Sequence, residues 1–497
     1  MSNIRVTYSG LISLIMACLR IITGFAFTYL IVRLLLPDEL GTWKLILGLT
    51  SSIIFMNTMS SFWSTRDIAR GIDSAKSAIS LTGGFTMISI VIFSVSILLS
   101  ADQTNATDEI IYGLIIIPFL FFYNLLFALA YGYKPHLINI GQVLYGIVIV
   151  ITSLVLVYFL DFGLIGIIIA SSIAYLSVIC FFLYHIHNKI NKNIDFKTIK
   201  KWFKNSWLAL YHRLAEFIFS FDILLFALIT SSVVGLAFYT IALSIGALVG
   251  TAATMAVATY SKLLSSDNYS YIQDNITKVV YIGMPMLAIV ILFAKEGIFL
   301  LNPIYAEVYP AIAFFALRTF FHMFSNIFSN YLLGSEKVDI DDRSTVKNFL
   351  NSQLFYVPSV NTIRNIAYIL SLVIVLSLVA ANYADTELVI AWSIIMFAVE
   401  VPFTIYWYFK IKRRFSISIE WAKVSKYTLT AIGTIGFSYY LSSLFLVFDK
   451  TIFVFLPNLL LYIIFGAGLY FIITYMVDDR TRNLTKAIIT ELRKKRS

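Results

Sequence analysis

LINIGQVLYGIVIVITSLVLVYF, residues 137–159, runs through 23 positions without one charged side chain. Coiled as a helix it spans about 35 Å, enough to cross the ~30 Å hydrocarbon core of a bilayer. Working outward from it, comparable apolar runs recur along the chain. Those before it lie at 11–36, 43–63, 79–100 and 110–131. Those after it lie at 164–184, 206–230, 236–260, 279–301, 309–333, 363–381, 388–409, 427–448 and 452–476. The pattern predicts an all-α polytopic membrane protein with about fourteen transmembrane helices.

The charges between the runs sort by side. If the N-terminus is cytoplasmic, 30 of the 37 basic residues fall on the inward connections and the two termini. The outward turns hold only Lys295 and Lys450. Lysine and arginine are retained on the cytoplasmic side during insertion, so this bias predicts a multi-pass protein of the cell membrane with both termini cytoplasmic. Five basic residues remain within or at the ends of spans: Arg20, Arg33, Lys44, Arg213 and Arg318.

Composition excludes several classes. A hydrophobic share of 59% with 13% charged residues does not suit a soluble globular chain. The net charge of +10 sits on the inward loops and tail, which face anionic lipid, so no nucleic-acid partner is expected. Cys18 and Cys180 both lie inside apolar runs and no Cys/His cluster occurs, so neither a disulfide scaffold nor a metal site is expected. No cleavable signal is expected, because the first apolar run is too long. No loop exceeds about 30 residues, too few for a soluble catalytic domain, and no Gly-rich phosphate loop points to ATP. A transporter rather than an enzyme is expected. The outward sequon Asn105-Ala106-Thr107 is an acceptor site for a glycan on the expected side.

A basic connection divides the chain. The reading gives an N-terminal six-helix bundle at 1–187, a cytoplasmic linker at 188–205, a second six-helix bundle at 206–409, and two further helices with a basic tail at 410–497. The halves echo one another: Arg20 precedes Gly41 by 21 residues, and Arg213 precedes Gly235 by 22. Six spans per half would relate the copies by an axis along the membrane normal. The connection 334–364 mixes Asp339, Asp341 and Asp342 with apolar residues and reads as an interfacial amphipathic segment.

Three stretches carry a resemblance. They are Thr28-Tyr29-Leu30-Ile31-Val32-Arg33-Leu34-Leu35-Leu36-Pro37-Asp38-Glu39-Leu40-Gly41-Thr42-Trp43, then Ser64-Thr65-Arg66-Asp67-Ile68-Ala69-Arg70, then Leu332-Leu333-Gly334-Ser335-Glu336-Lys337. The chain resembles the polysaccharide transporter family. That family holds the O-antigen and lipid-linked oligosaccharide flippases of the multidrug/oligosaccharidyl-lipid/polysaccharide exporter superfamily. The acidic connection after the tenth run is longer than the compact turn of that family. The resemblance implies two six-helix bundles in a V around a central cavity, working by alternating access. It implies a polyprenyl- or dolichyl-linked oligosaccharide, on one phosphate or two, moved from the cytoplasmic to the outer leaflet. Membrane lipids and glycosyltransferases of a glycan pathway would be the partners, and a monomer would suffice. No cofactor is expected; the energy would come from H+ or Na+ coupling or from the membrane potential.

The residues suited to that task are few. A phosphate-bearing headgroup stripped of water needs compensating positive charge, and the planar guanidinium fork supplies it without deprotonating. Arginine inside a span costs about 2.5–3.5 kcal/mol to insert, so Arg20, Arg213 and Arg318 are the candidate cavity cations. The alternative for Arg213 is a packing pair with Glu216, three residues on. His322, Asn326 and Asn330 follow Arg318 at four-residue intervals, and Asn57 lies in a similar band with Thr50, Ser61 and Ser64. These polar groups would face sugar hydroxyls; the alternative is hydrogen bonding between helices. Glu216, Asp222 and Glu400 are the carboxylates within spans, as coupling groups or as counter-ions. Arg33 and Lys44 are expected to snorkel to the outer interface. Two other functions compete: a cation-coupled drug or small-solute exporter of the same superfamily, and a membrane polysaccharide polymerase or ligase.

Overall fold

The computed structural model describes all residues except 1–2, 70, 101–106, 135, 191–192, 205, 254–269, 335–347, 349, 416, 418, 450, 480–481 and 483–497. Asn105 and Ala106 of the sequon, residues 335–347 of the 334–364 segment and nearly all of the basic tail therefore lie outside the described residues. The chain is an all-α polytopic membrane protein, and no strand occurs among the described residues. Every predicted run contains a helix. Among the described residues ten helices are long and apolar enough to cross a membrane, and an eleventh span counts if a bent pair is taken as one.

The first helices are α1 (Asn3–Leu34), α2 (Pro37–Ile53) and α3 (Thr58–Ala69), the last two joined by the 3-10 turn Ile54–Asn57. Next come α4 (Ala75–Ser100), the one-turn α5 (Thr107–Ile110), α6 (Gly113–Tyr133), α7 (His136–Ser153) and α8 (Gly163–Ile186). The linker forms a helix, α9 (Phe196–Lys204), and the seventh run breaks into α10 (Ser206–Phe219) and α11 (Phe221–Thr230). Then follow α12 (Val234–Gly246), α13 (Ser270–Leu292) and α14 (Ala294–Leu301), the last pair bent by 67°. The chain continues with α15 (Tyr309–Gly334), α16 (Gln353–Val379), α17 (Asp385–Phe415), α18 (Trp421–Phe445) and α19 (Ile452–Val477).

Local chemistry sets several of these ends. Pro37 opens α2 where its missing N–H costs nothing, and Asp38 and Glu39 favour the positive end of the helix. The Glu39 carboxylate accepts from the Leu36 N–H at 2.9 Å, and its other oxygen accepts from the Leu164 N–H at 3.1 Å, tying the start of α8 to that of α2. Gly163 stands there at φ +49°, and a Cβ on it would meet Glu39 Oε1 at 2.2 Å. α9 is capped by Asp195, which accepts from the Lys197 N–H at 2.9 Å and the Thr198 hydroxyl at 2.6 Å. The Thr198 hydroxyl, then the backbone N–H, holds that exposed carboxyl below its ordinary range.

Contacts divide the chain into two compact units. The first is Met1–Thr240 with Pro358–Leu388; the second is Ile241–Val357 with Val389–Ser497. In the first, α6 and α8 pack across a core of Leu125, Leu126, Leu129, Val178 and Phe182, sealed at one end by Trp202 of the linker helix. α10 and α11 pack against α3 and α2 in this unit. In the second, Phe293, Ile435, Phe455 and Leu459 bind the bent α13–α14 pair to α18 and α19. The Tyr470 hydroxyl donates to the Tyr281 carbonyl at 2.7 Å, and the Tyr427 hydroxyl donates to Asp478 at 2.9 Å.

Gly41 is required by a backbone approach. A Cβ there would stand 1.8 Å from the Val233 carbonyl oxygen, an atom that cannot rotate aside. Gly41→Ala is expected to force α2 off the segment before α12, at a cost of about 1–3 kcal/mol. A lowered unfolding midpoint in detergent checks this; an unchanged midpoint refutes the close approach.

Candidate functional site

Two helical walls face one another in the first unit. On α2–α3 the residues Ser51, Phe55, Thr58, Phe62 and Arg66 recur every three to four positions and so share one face. On α10 and the break after it, Arg213, Glu216, Phe217 and Ser220 do the same. α6 supplies a third side with Asn124, Phe127 and Tyr131. They enclose a cavity of about 690 Å³, the size of a typical small-molecule site.

The walls touch at one end. The Ser52 and Ser220 hydroxyls lie 2.8 Å apart, and the Phe55 and Phe217 rings stack at 4.5 Å. Arg66 and Arg213 stand away from that closure, toward the ends of α3 and α10 that meet the linker helix. The Arg66 guanidinium lies 4.8 Å over the Phe62 ring, which orients it without neutralising it. Arg213 pairs with Glu216, with side chains 52% and 68% exposed. An ion pair so exposed stabilises little. Two guanidinium groups against one carboxylate leave the lining positive.

Asn57 is held from behind. Its amide donates to the Phe121 carbonyl at 3.1 Å, and its Oδ1 accepts from Ser60 at 2.6 Å and Thr82 at 2.8 Å. This buried knot joins the 3-10 turn to α3, α4 and α6. Asn57 thus lines the cavity while its side chain fixes the wall.

The other sequence-predicted residues lie elsewhere. Arg20 is exposed on α1, donates to Gln142 Oε1 at 2.6 Å and does not line this cavity. Arg318, His322, Asn326 and Asn330 all belong to α15 in the second unit. There His322 Nδ1 lies 3.2 Å from Glu400 Oε2, and Glu400 is buried. Asn326 and Asn330 are exposed, while the neighbouring Ser325 shares a 2.8 Å hydrogen bond with Thr404. Asp222 is buried on α11, accepting from the Tyr368 hydroxyl at 2.9 Å and the Ile223 N–H at 2.8 Å. Lys44 is half-buried, 5.4 Å over the Tyr239 ring and within electrostatic reach of Asp222.

Sequence reasoning missed Arg66 as a cavity residue, having counted it among the inward topological charges. The signal was present: Ser51, Thr58, Thr65 and Arg66 keep helical spacing with Phe55 and Phe62. Asn124 and Tyr131 gave no such signal, because α6 is apolar nearly all round.

No protein-family model matches the sequence, and no curated protein matches it. Solved structures do. An inward-facing MATE family transporter of the MOP superfamily matches with TM-score 0.56 and 13% identity, over 80% of this chain and 96% of its own. The lipid II flippase MurJ in an inward closed conformation matches with TM-score 0.59 and 14% identity, over 97% of this chain and 100% of its own. The fold is that of the MOP-superfamily transporters. A MATE protein in its straight conformation agrees, with TM-score 0.51 and 13% identity over 80% of this chain. Within this MOP fold the positive lining of the first-unit cavity belongs to this chain's own residues.

Proposed function

We propose that this chain is a flippase for a lipid-linked oligosaccharide, carried on a polyprenyl or dolichyl phosphate or pyrophosphate. It moves that cargo from the cytoplasmic to the outer leaflet of the cell membrane, for polysaccharide or glycoprotein assembly. The observation that carries the reading is the positive cavity with Arg66 and Arg213 on facing walls. Phosphate oxygens suit guanidinium forks, and the serine, threonine and asparagine groups alongside suit sugar hydroxyls. A cationic drug would meet two like charges there. The acyl tail stays in lipid, so a cavity of headgroup size suffices. The match to MurJ over nearly the whole chain is consistent with this reading.

The basic bias of the loops supports an orientation with the Arg66 end of the cavity and both termini facing the cytoplasm. Glycosyltransferases would supply the cargo, and one chain would suffice. Movement of an anionic headgroup outward is favoured by an inside-negative potential, by about 2.3 kcal/mol per charge per 100 mV. The His322–Glu400 pair favours a second route, coupling to protons, since it sets an imidazole 3.2 Å from a buried carboxylate.

The test is transport in proteoliposomes of a fluorescent sugar pyrophosphate on a short polyprenyl chain. Cargo-dependent transfer supports the reading; export of cationic dyes without it refutes the reading. A finer prediction concerns Glu216. Glu216→Gln releases Arg213 toward cargo, so headgroup binding should tighten several-fold. Folding stability should move by less than about 1 kcal/mol, because the pair is exposed. Weaker binding would show instead that Glu216 itself holds the sugar.

A further inference from the structure

The linker helix α9 presents two faces that the cavity does not use. Its C-terminal half is docked on the first unit: Trp202 is 1% exposed and its indole N–H donates to Asp67 Oδ2 at 2.9 Å. Its start is docked as well, since the Asp195 N–H donates to Ser77 Oγ at 2.8 Å. So fixed, the helix packs on α3, α4 and α10. Yet Phe196 is 76% and Phe203 51% exposed. On a helical turn Trp202, Ile199, Phe203 and Phe196 form one continuous arc. Lys200, Lys204, Lys197 and Lys201 occupy the next, and all four are exposed.

We propose that α9 is a docking element for an anionic phospholipid surface. A helix held to protein along its tryptophan edge offers lipid its phenylalanine edge and the headgroups its lysines. That arrangement is the one by which amphipathic helices lie in a membrane interface. The partner is fixed by charge: four lysines and no acid between 196 and 204 complement anionic headgroups. Phe196, and the half of Phe203 left open beyond its edge contact with Phe85 at 6.4 Å, suit the acyl boundary better than an acidic soluble protein. Because α9 contacts both α3 and α10, the lipid it binds bears on the helices that carry Arg66 and Arg213.

The experiment uses the full-length protein in nanodiscs of phosphatidylcholine alone or mixed with phosphatidylglycerol, read by amide hydrogen exchange over 194–204. Both leaflets carry the same lipid, so the result depends on neither the cargo nor the orientation proposed above. Exchange in α9 is expected to slow at least about tenfold in the anionic discs. The slowing should vanish with the quadruple variant K197A/K200A/K201A/K204A and in ~1 M salt, where the screening length is only ~3 Å. The pair Phe196→Ser and Phe203→Ser should lose it too, while exchange in α3 stays unchanged as a control for folding. Equal exchange in both lipids overturns the proposal. Slowing that requires an added acidic protein overturns it equally.

Discussion

Reversing both cavity cations, Arg66→Glu with Arg213→Glu, is expected to reduce transport of a pyrophosphate-linked cargo about 10²–10⁴-fold. Each charge-assisted contact to phosphate is worth about 1.5–3 kcal/mol, and each ~1.4 kcal/mol is tenfold in rate or affinity. Two such contacts are lost together, and repulsion replaces them. Neither residue supports the core, since Arg66 is half-buried against Phe62 and Arg213 is exposed. The unfolding midpoint should therefore stay within a few degrees of the parent. Lysine at both positions keeps the charge but loses the fork, so it should restore part of the rate. Full activity in the double-glutamate variant would remove the cavity from the transport path. Loss of fold would show instead as a lowered midpoint, which separates the two outcomes.

The second large effect concerns Asp222 and Lys44, which sequence reading kept apart. Asp222→Ala strips the buried Tyr368 hydroxyl of its acceptor and removes a carboxylate from the surroundings of Lys44. Leaving a buried donor without its acceptor costs about 1–3 kcal/mol. The midpoint of thermal unfolding in detergent should fall accordingly. Lys44→Met combined with Asp222→Asn removes the charge and keeps an acceptor for Tyr368. That variant should recover to within about 1 kcal/mol of the parent, because the Tyr368 hydroxyl keeps a partner. Equal damage in the single and the double variant would show that the two side chains act separately.

Legibility followed the kind of interaction. The runs and their breaks were readable because membrane insertion is decided segment by segment, on length and apolar content. Even the break inside the seventh run had a marker, Ser220 followed by Phe221 and Asp222, although its geometry did not. The members of the polar band on the second run divide. Ser61 and the buried Asn57 border the cavity, whereas Thr50 and Ser64 are buried away from it, because a band with four-residue steps drifts around the helix. Arg213 was singled out by its depth in an apolar run, and its alternative partner Glu216 by spacing alone. Arg66 was hidden by its company: at the end of a span it reads as one more inward charge.

The sequence by itself determined the all-α membrane fold and the short list of costly polar groups within its helices. These follow from the free energy of placing each segment in hydrocarbon, a local quantity. Only the tertiary structure decided which of those groups meet. Arg66 and Arg213 line one cavity from two helices, His322 finds Glu400, Asp222 finds Tyr368, and Trp202 closes on Asp67 from 135 residues away. Between helices the bilayer offers no hydrophobic preference for one neighbour over another. Packing of small residues such as Gly41, and the need of each buried polar group for a partner, make that choice.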